Sequence, residues 1–181
     1  MKVVPTALPE VLVLEPRVFS DDRGFFMESW NARAFVGATG LDVEFVQDNH
    51  SRSVQHVLRG IHYQVIKPQG KLVRVVTGSV LDVAVDLRRS SPNFGKWVRV
   101  ELSADNKRQL WVPPGFGHAF LVTSQFADFL YKTTEYWMPE HDRGIVWNDP
   151  DLGIDWGLST APSLAAKDAA AARLRDAEVY A

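Results

Sequence analysis

Two histidines, a lysine and a tyrosine are the residues of this chain best suited to chemistry. The first run is Gly60-Ile61-His62-Tyr63-Gln64, with Lys71 following it seven residues before Gly78. The second is Pro113-Pro114-Gly115-Phe116-Gly117-His118, with Tyr131 further on in Phe129-Leu130-Tyr131. A neutral imidazole titrates near the working pH and can accept a carbon-bound proton. A fixed ammonium in a dry pocket stabilises the charge that develops on a carbonyl oxygen. A phenol on the other face can return the proton and so invert the carbon. General acid–base catalysis contributes about 10²–10⁴-fold, so the cation must supply much of the remaining acceleration. The same set suits a metal poorly, because an ammonium has no lone pair to donate and repels a divalent cation.

Taken singly, each of these residues has a plainer reading. A lone strand histidine such as His62 is usually structural or solvent-facing, and Lys71 alone reads as a solvated edge lysine. Tyr131 alone reads as a core aromatic whose hydroxyl finds a partner. Asp168, before an alanine run, reads as a helix cap. Arg23 and Arg59 read as surface charges, His56 and His141 as exposed loop histidines, and His50 has no assignment. Trp111, Trp147 and Trp156 read as core or interface aromatics.

The elements that must position these residues are short and β-rich. In Val80–Asp86, Leu81, Val83 and Val85 share one face and Asp82 and Asp86 the other. Similar strands are expected over roughly 11–14, 25–30, 43–47, 57–63, 72–77, 98–102, 109–112, 119–123 and 129–134. Thr77-Gly78-Ser79 reads as a tight turn between two strands, and Pro92–Gly95 and Ala104–Lys107 as further turns. About ten short strands at close spacing predict an all-β sandwich or barrel, with the jelly roll as the candidate. Helix is scarce: Asn31 is expected to cap a short helix over 32–36 ended by Gly37. The alanine-rich stretch 168–177 has helix propensity but little length.

Composition sets the remaining bounds. The 181 residues fit one domain with a real core. Twenty-two acidic and 20 basic side chains leave a net charge of −2, which gives no support to a nucleic-acid or anionic-membrane partner. Without cysteine, disulfides and thiolate metal sites are excluded. Prolines and glutamates interrupt the first 16 residues, and no run of about 18 apolar residues occurs. A cytoplasmic globular protein is expected.

The two histidine-bearing runs resemble the two conserved segments of the cupin superfamily of jelly rolls. Metal-binding cupins use a His-x-His pair, a Glu seven residues before a Gly, and a later His in a Pro-x-Gly-x-x-His turn. Here His62 and His118 keep two positions, whereas Gln64 and Lys71 occupy the others. The frame is kept and the ligand set is broken, so no metal is expected.

A closer resemblance covers nearly the whole chain. Arg23-Gly24-Phe25-Phe26-x-Glu28, Gln47-Asp48-Asn49-His50-Ser51, Leu58-Arg59-Gly60-Ile61-His62-Tyr63-Gln64 and Gln69-Gly70-Lys71-Leu72-Val73-Arg74 occur in order. Tyr131-Lys132-Thr133-Thr134, Pro139-Glu140-His141-Asp142-Arg143-Gly144 and Ala166-Lys167-Asp168 follow. Together they resemble the dTDP-4-dehydrorhamnose 3,5-epimerase family. The resemblance implies a cofactor-free homodimer acting on dTDP-4-dehydro-6-deoxy-D-glucose, inverting C3 and C5 beside the C4 ketone through enolates. It implies His62 as proton acceptor with Asp168 as its partner, Lys71 facing the ketone oxygen and Tyr131 as proton donor. Arg59 and His118 are implied near the diphosphate, Gln47, Asp48 and Asn49 near nucleotide and sugar, and Trp137 on the thymine. Arg23, Phe26 and Glu28 are implied to reach a neighbouring subunit's site through exchanged N-terminal strands. Asp142 and Lys167 complete the substrate contacts, with the tail from about 160 packed near the site. Asp142 departs from the Glu frequent in the family, a stem one carbon shorter. Relatives that invert one carbon only, 3,4-ketoisomerases, metal-dependent cupins and non-catalytic sugar binders are the competing functions.

Overall fold

The period-two pattern read in Val80–Asp86 builds most of the molecule. The computed structural model describes residues 1–181, and its strands form two packed antiparallel sheets. One sheet has six strands: β1 (Lys2–Pro5), β2 (Leu12–Glu15), β10 (Gln109–Val112), β7 (Lys71–Thr77), β12 (Phe126–Thr133) and β5 (Gln47–Val54), in that spatial order. The other has β13 (Asp142–Gly144), β6 (Leu58–Gln64), β11 (Phe116–Val122), β8 (Ser79–Asp86) and β9 (Trp97–Ser103). A hairpin of β3 (Val18–Asp21) and β4 (Gly24–Met27) pairs with neither sheet and leaves Phe19, Phe25 and Phe26 exposed. This is an all-β jelly-roll sandwich with short peripheral helices.

Alternation fills three layers. Between the sheets, Val73, Val75, Ala127 and Phe129 meet Val80, Ala84, Phe116, Phe120 and Val122. On the outer face of the five-stranded sheet, Leu58, Ile61, Val83, Val85 and Leu121 are covered by Ile145, Leu152, Trp156, Leu174 and Ala177. On the outer face of the six-stranded sheet, Leu14, Leu72 and Trp111 are covered by Phe35 of α1 (Ala32–Thr39). The strand read as having one polar face is therefore buried on both. Asp82 and Asp86 point inward, fully buried, because the C-terminal segment covers the face that carries Val83 and Val85.

Several expectations need correction. Asn31 does cap α1, its side-chain oxygen accepting from the Ala34 N–H at 3.1 Å. The helix runs past Gly37 to Thr39 and ends at Gly40, the residue in the left-handed conformation. The strand expected over 43–47 lies instead at Gln47–Val54, while Val43 and Phe45 pack against the α1 cluster without regular pairing. The alanine tail forms one α-helical turn, α2 (Ala166–Ala169), with Asp168 inside it and Ala165 at the cap position, and a separate 3-10 turn at Leu174–Asp176. Docking against the sheet overrides alanine propensity there, because the Ala172 carbonyl accepts from the Val146 N–H and the Leu174 N–H donates to the Asp149 carboxylate. Gly78 makes the tight turn expected of it, at φ +73°, but β7 and β8 belong to different sheets, so the turn is a corner between them.

One irregularity positions the site. His118 pairs with His62, and Phe120 pairs with Arg59, so three steps on β6 match two on β11. This β-bulge at Gly60–Ile61 turns Arg59 and His62 to the same face, where simple alternation would oppose them. Gly60 permits it at φ +106°, and a Cβ there would stand 2.5 Å from the His118 carbonyl oxygen. That oxygen belongs to the partner strand's backbone and cannot give way. Gly60→Ala is expected to cost about 2–6 kcal/mol, from backbone strain and overpacking together. Urea unfolding checks this, and a change below about 1 kcal/mol would contradict the bulge as drawn.

Candidate active site

Inward-facing residues of both sheets open onto a cavity of about 400 Å³. From β6 come Arg59 and His62, from β11 His118 and Phe120, and from β5 Gln47 and Asn49. From β7 comes Lys71, from β12 Phe129, Tyr131 and Thr133, and from the β12–β13 connection Trp137. Asp142 of β13 and Lys167 and Asp168 of α2 close one side. The walls are polar and the floor is the stacked pair Phe120–Phe129, with ring centroids 4.1 Å apart.

His62 and Asp168 make the shortest polar contact of the site. The ring Nε2–H donates to Asp168 Oδ1 at 2.6 Å, and the Gly60 N–H donates to Oδ2 at 3.2 Å. Asp168 is 4 % exposed. Burial pushes its carboxyl up, but the His62 bond and charge, the Gly60 amide and Lys167 outweigh burial and hold it below the usual carboxylate range. With Nε2 committed to a carboxylate, Nδ1 is the nitrogen of His62 left to accept a proton. An ionised partner fixes the tautomer and stabilises the imidazolium that forms.

Lys71 heads β7 on the opposite sheet and has no hydrogen-bond or ion-pair partner in the protein. Burial lowers its pKa to about 8; Asp142 and Asp82 oppose that shift and Lys167 adds to it. Tyr131, two residues along from Phe129 on the same inward face, also has a hydroxyl without a protein partner. Burial raises its pKa, Asp142 adds to the shift and Arg59 opposes it. A phenol kept protonated can donate, and an ammonium lining the cavity can meet an oxyanion. The arrangement is a base with an oriented ring on one wall and a proton donor and a cation on the other.

The remaining expected contacts divide cleanly. Arg59 is aimed by its Nε–H donating to Ser53 Oγ at 3.0 Å. Gln47 and Asn49 share an inward face of β5, joined by a side-chain bond of 2.9 Å. Gln47 also accepts from the Trp137 backbone N–H at 3.2 Å, holding that exposed indole at the cavity mouth. Lys167 and Asp142 pair with each other at 3.0 Å across the rim. Asp48, by contrast, lies on the opposite face of β5, outside this cavity, paired with Lys132 at 2.8 Å. Period-two geometry requires this, since Gln47 and Asn49 point inward. Arg23, Phe26 and Glu28 also line no part of the cavity. Arg23 pairs with Asp21, and Glu28 accepts from Asn31 at 3.0 Å, all on or beside the free hairpin.

Two residues escaped sequence reasoning. Gln64, at the second histidine position of the metal frame, is fully engaged by backbone. Its Nε2 donates to the Lys67 and Tyr136 carbonyls at 2.8 and 3.2 Å, and its Oε1 accepts from the Met138 N–H at 2.8 Å. It holds the loop that carries Trp137 rather than facing the cavity. Asp82 lies directly beneath His118, whose Nε2 is 2.9 and 3.1 Å from its two oxygens. The available signal was its alternation in register with Val80 and Ala84, both inward residues.

Fold and cavity together are those of a jelly-roll isomerase acting on sugar nucleotides, and comparison with known proteins gives the family. The family model described as dTDP-4-dehydrorhamnose 3,5-epimerase matches residues 5–176, and the chain belongs to that family. It is 60% identical over 180 residues to the dTDP-4-dehydrorhamnose 3,5-epimerase of Pseudomonas aeruginosa, covering 99% of both chains. Its structure matches the dTDP-6-deoxy-D-glucose-3,5-epimerase of Legionella pneumophila, solved in complex with dTDP-4-keto-L-rhamnose. The TM-score is 0.95 and the identity 49%, with 98% of this chain and 94% of that chain covered. A 3'-monoepimerase of Streptomyces bikiniensis, in complex with dTDP-quinovose, matches with TM-score 0.89 and 35% identity, covering 97% of this chain and 88% of that one. No helix of the structure is long and apolar enough to cross a membrane.

The buried ammonium has a direct signature. In protein carrying ¹³C-labelled lysine, one lysine resonance is expected to titrate around pH 8 and to vanish in Lys71→Met. Titration of that resonance at an ordinary lysine value, near 10.4, would show the cavity to be wet and the cation unperturbed.

Proposed function

We propose that this chain is a dTDP-4-dehydrorhamnose 3,5-epimerase. It inverts C3 and C5 of dTDP-4-dehydro-6-deoxy-D-glucose by proton removal and return beside the C4 ketone. The observation that carries the reading is the His62–Asp168 pair at 2.6 Å, set in one sheet opposite Tyr131 and the unpartnered Lys71 in the other. His62 takes the proton from carbon at Nδ1, and Asp168 stabilises the imidazolium. Lys71 faces the C4 oxygen, where negative charge develops in the enolate. Tyr131 delivers a proton to the opposite face of that carbon. The two carbons flank the same ketone, so one base and one cation serve both once the sugar turns in the cavity. Arg59 and His118, both in the cavity wall, are assigned to the diphosphate, which Arg59 can hold through two N–H groups. Gln47, Asn49, Asp142 and Lys167 line the sugar and nucleotide path, and Trp137 offers a flat apolar face for the thymine. No step requires a metal or an organic cofactor, and Gln64 and Lys71 at the frame positions make a poor donor set. A nucleotide-sugar substrate supports a cytoplasmic setting.

The free hairpin supports a homodimer with shared sites. Arg23, Phe26 and Glu28 line no part of their own cavity, and three phenylalanines on 18–27 stay exposed on a hairpin that pairs with neither sheet. Residues 1–181 then act as one unit, each chain lending its hairpin to the neighbour while the tail from about 160 serves its own site.

Incubation with dTDP-4-dehydro-6-deoxy-D-glucose in D₂O, read by NMR, tests the chemistry. Deuterium is expected at both C3 and C5, and label at C3 alone would favour activity like that of the monoepimerase relative. His62→Ala should abolish exchange at both carbons. Tyr131→Phe should slow inversion more than exchange, and equal loss of both would remove Tyr131 from the acid role. Wild-type kcat should fall as pH rises through about 8, because the cationic form of Lys71 is the active one and is lost there. For the dimer, Arg23→Ala and His62→Ala chains, each impaired alone, are expected to recover activity when unfolded and refolded together. Recovery requires a mixed dimer in which one site has both an intact base and an intact hairpin. No recovery in verified mixed dimers would place Arg23 outside the neighbour's site.

A further inference from the structure

Beneath the cavity a second carboxylate–imidazole pair lies one strand away from the first. His118 is the cross-strand partner of His62, and Asp82 of β8 holds it as Asp168 holds His62. Asp82 is fully buried, and its oxygens, 2.9 and 3.1 Å from His118 Nε2, make no other hydrogen bond. No arginine or lysine is paired with it. A buried carboxylate with so few contacts needs positive charge close by.

We propose that Asp82 is a positioning residue of the epimerase site, acting through the His118 imidazole that it holds. It fixes the His118 ring with Nε2–H on the carboxylate and Nδ1 toward the cavity. The proposal rests on the epimerase reading above and adds to it a group that touches no substrate.

The charges around Asp82 support this. Burial raises the Asp82 carboxyl, and His118 and Lys71 oppose that rise. Arg59 and His62 on β6, His118 on β11 and Tyr131 on β12 line the same cavity.

The test is Asp82→Asn, which keeps size and keeps an oxygen to accept from His118 Nε2–H while removing the charge. The variant is expected to unfold at a temperature no lower than wild type, since a buried charge has been removed. Its kcat at pH 8 should fall roughly 10–100-fold, less than loss of a direct electrostatic donor, with a smaller change in KM. A folded variant with wild-type kcat and KM overturns the proposal. Independently of any variant, ¹⁵N NMR of the wild-type imidazoles should show His118 protonated on Nε2. A ring carrying its proton on Nδ1 alone overturns the proposal too. That measurement needs no turnover, so it is read apart from failure of the epimerase reading, which would show as a wild-type chain that exchanges no deuterium.

Discussion

The hydrogen bond between His62 and Asp168 is the constraint on which the rest of the site depends. It joins a central strand to a tail residue 106 positions later, so the base is oriented only when the tail is docked. The tail is held on both sides of Asp168. Upstream, Ser163 exchanges backbone bonds with His56 and Leu58. Downstream, Val146 donates to Ala172, and the buried Asp149 accepts from Leu174 at 2.6 Å. Leu174 and Ala177 then bury apolar surface against the outer face of the five-stranded sheet. The same burial that covers the second face of β8 thus sets the carboxylate behind the base. Folding and catalytic geometry are one event here, which explains why a single helical turn is enough.

Desolvation is the second organising effect. Lys71, Tyr131 and Asp82 are each pushed toward their neutral forms by burial. Asp168 escapes that outcome because hydrogen bonds and a nearby lysine outweigh its burial. Asp168 is thereby held ionised beside His62, and the Tyr131 phenol is held protonated. An ammonium poised near neutrality faces the space between them. Such a cavity strengthens interactions with developing charge because little water competes. The lysine also occupies the position at which metal-dependent jelly rolls carry a glutamate ligand, so a fixed side-chain charge stands where a bound cation's charge would be.

The β-bulge at Gly60–Ile61 links these effects. Without it, Arg59 and His62 would point to opposite faces of β6, and Arg59 would lie under the tail. Gly60 permits the bulge through its positive φ, and its amide bonds the carboxylate that orients His62. One glycine thus serves both the strand's register and the dyad.

Much of this was legible in the residue order, and the physical limits of that reading are specific. Period-two alternation, turn residues and the lack of long helical patterns were enough for an all-β sandwich, because alternation is a local consequence of backbone geometry. The Lys-for-Glu and Gln-for-His exchanges in the metal frame were enough to point from metal ligation to proton transfer, since side-chain chemistry needs no coordinates. The ordered motifs were enough for the family. Local rules misled where long-range packing decided the outcome. Asp168 read as a helix cap because its partner His62 is distant in sequence, and the alanines after it read as helix although sheet docking claims their backbone. Asp82 read as a polar-face residue because nothing local announces that the tail covers the other side of its strand. Asp48, grouped with Gln47 and Asn49 through the family motif, is turned to the other face of the pleated strand. Which residues follow one another, and what each can do chemically, belongs to the sequence alone. Which of them share a face, a cavity and a charge field was decided by the tertiary structure, through burial, register and the docking of the tail.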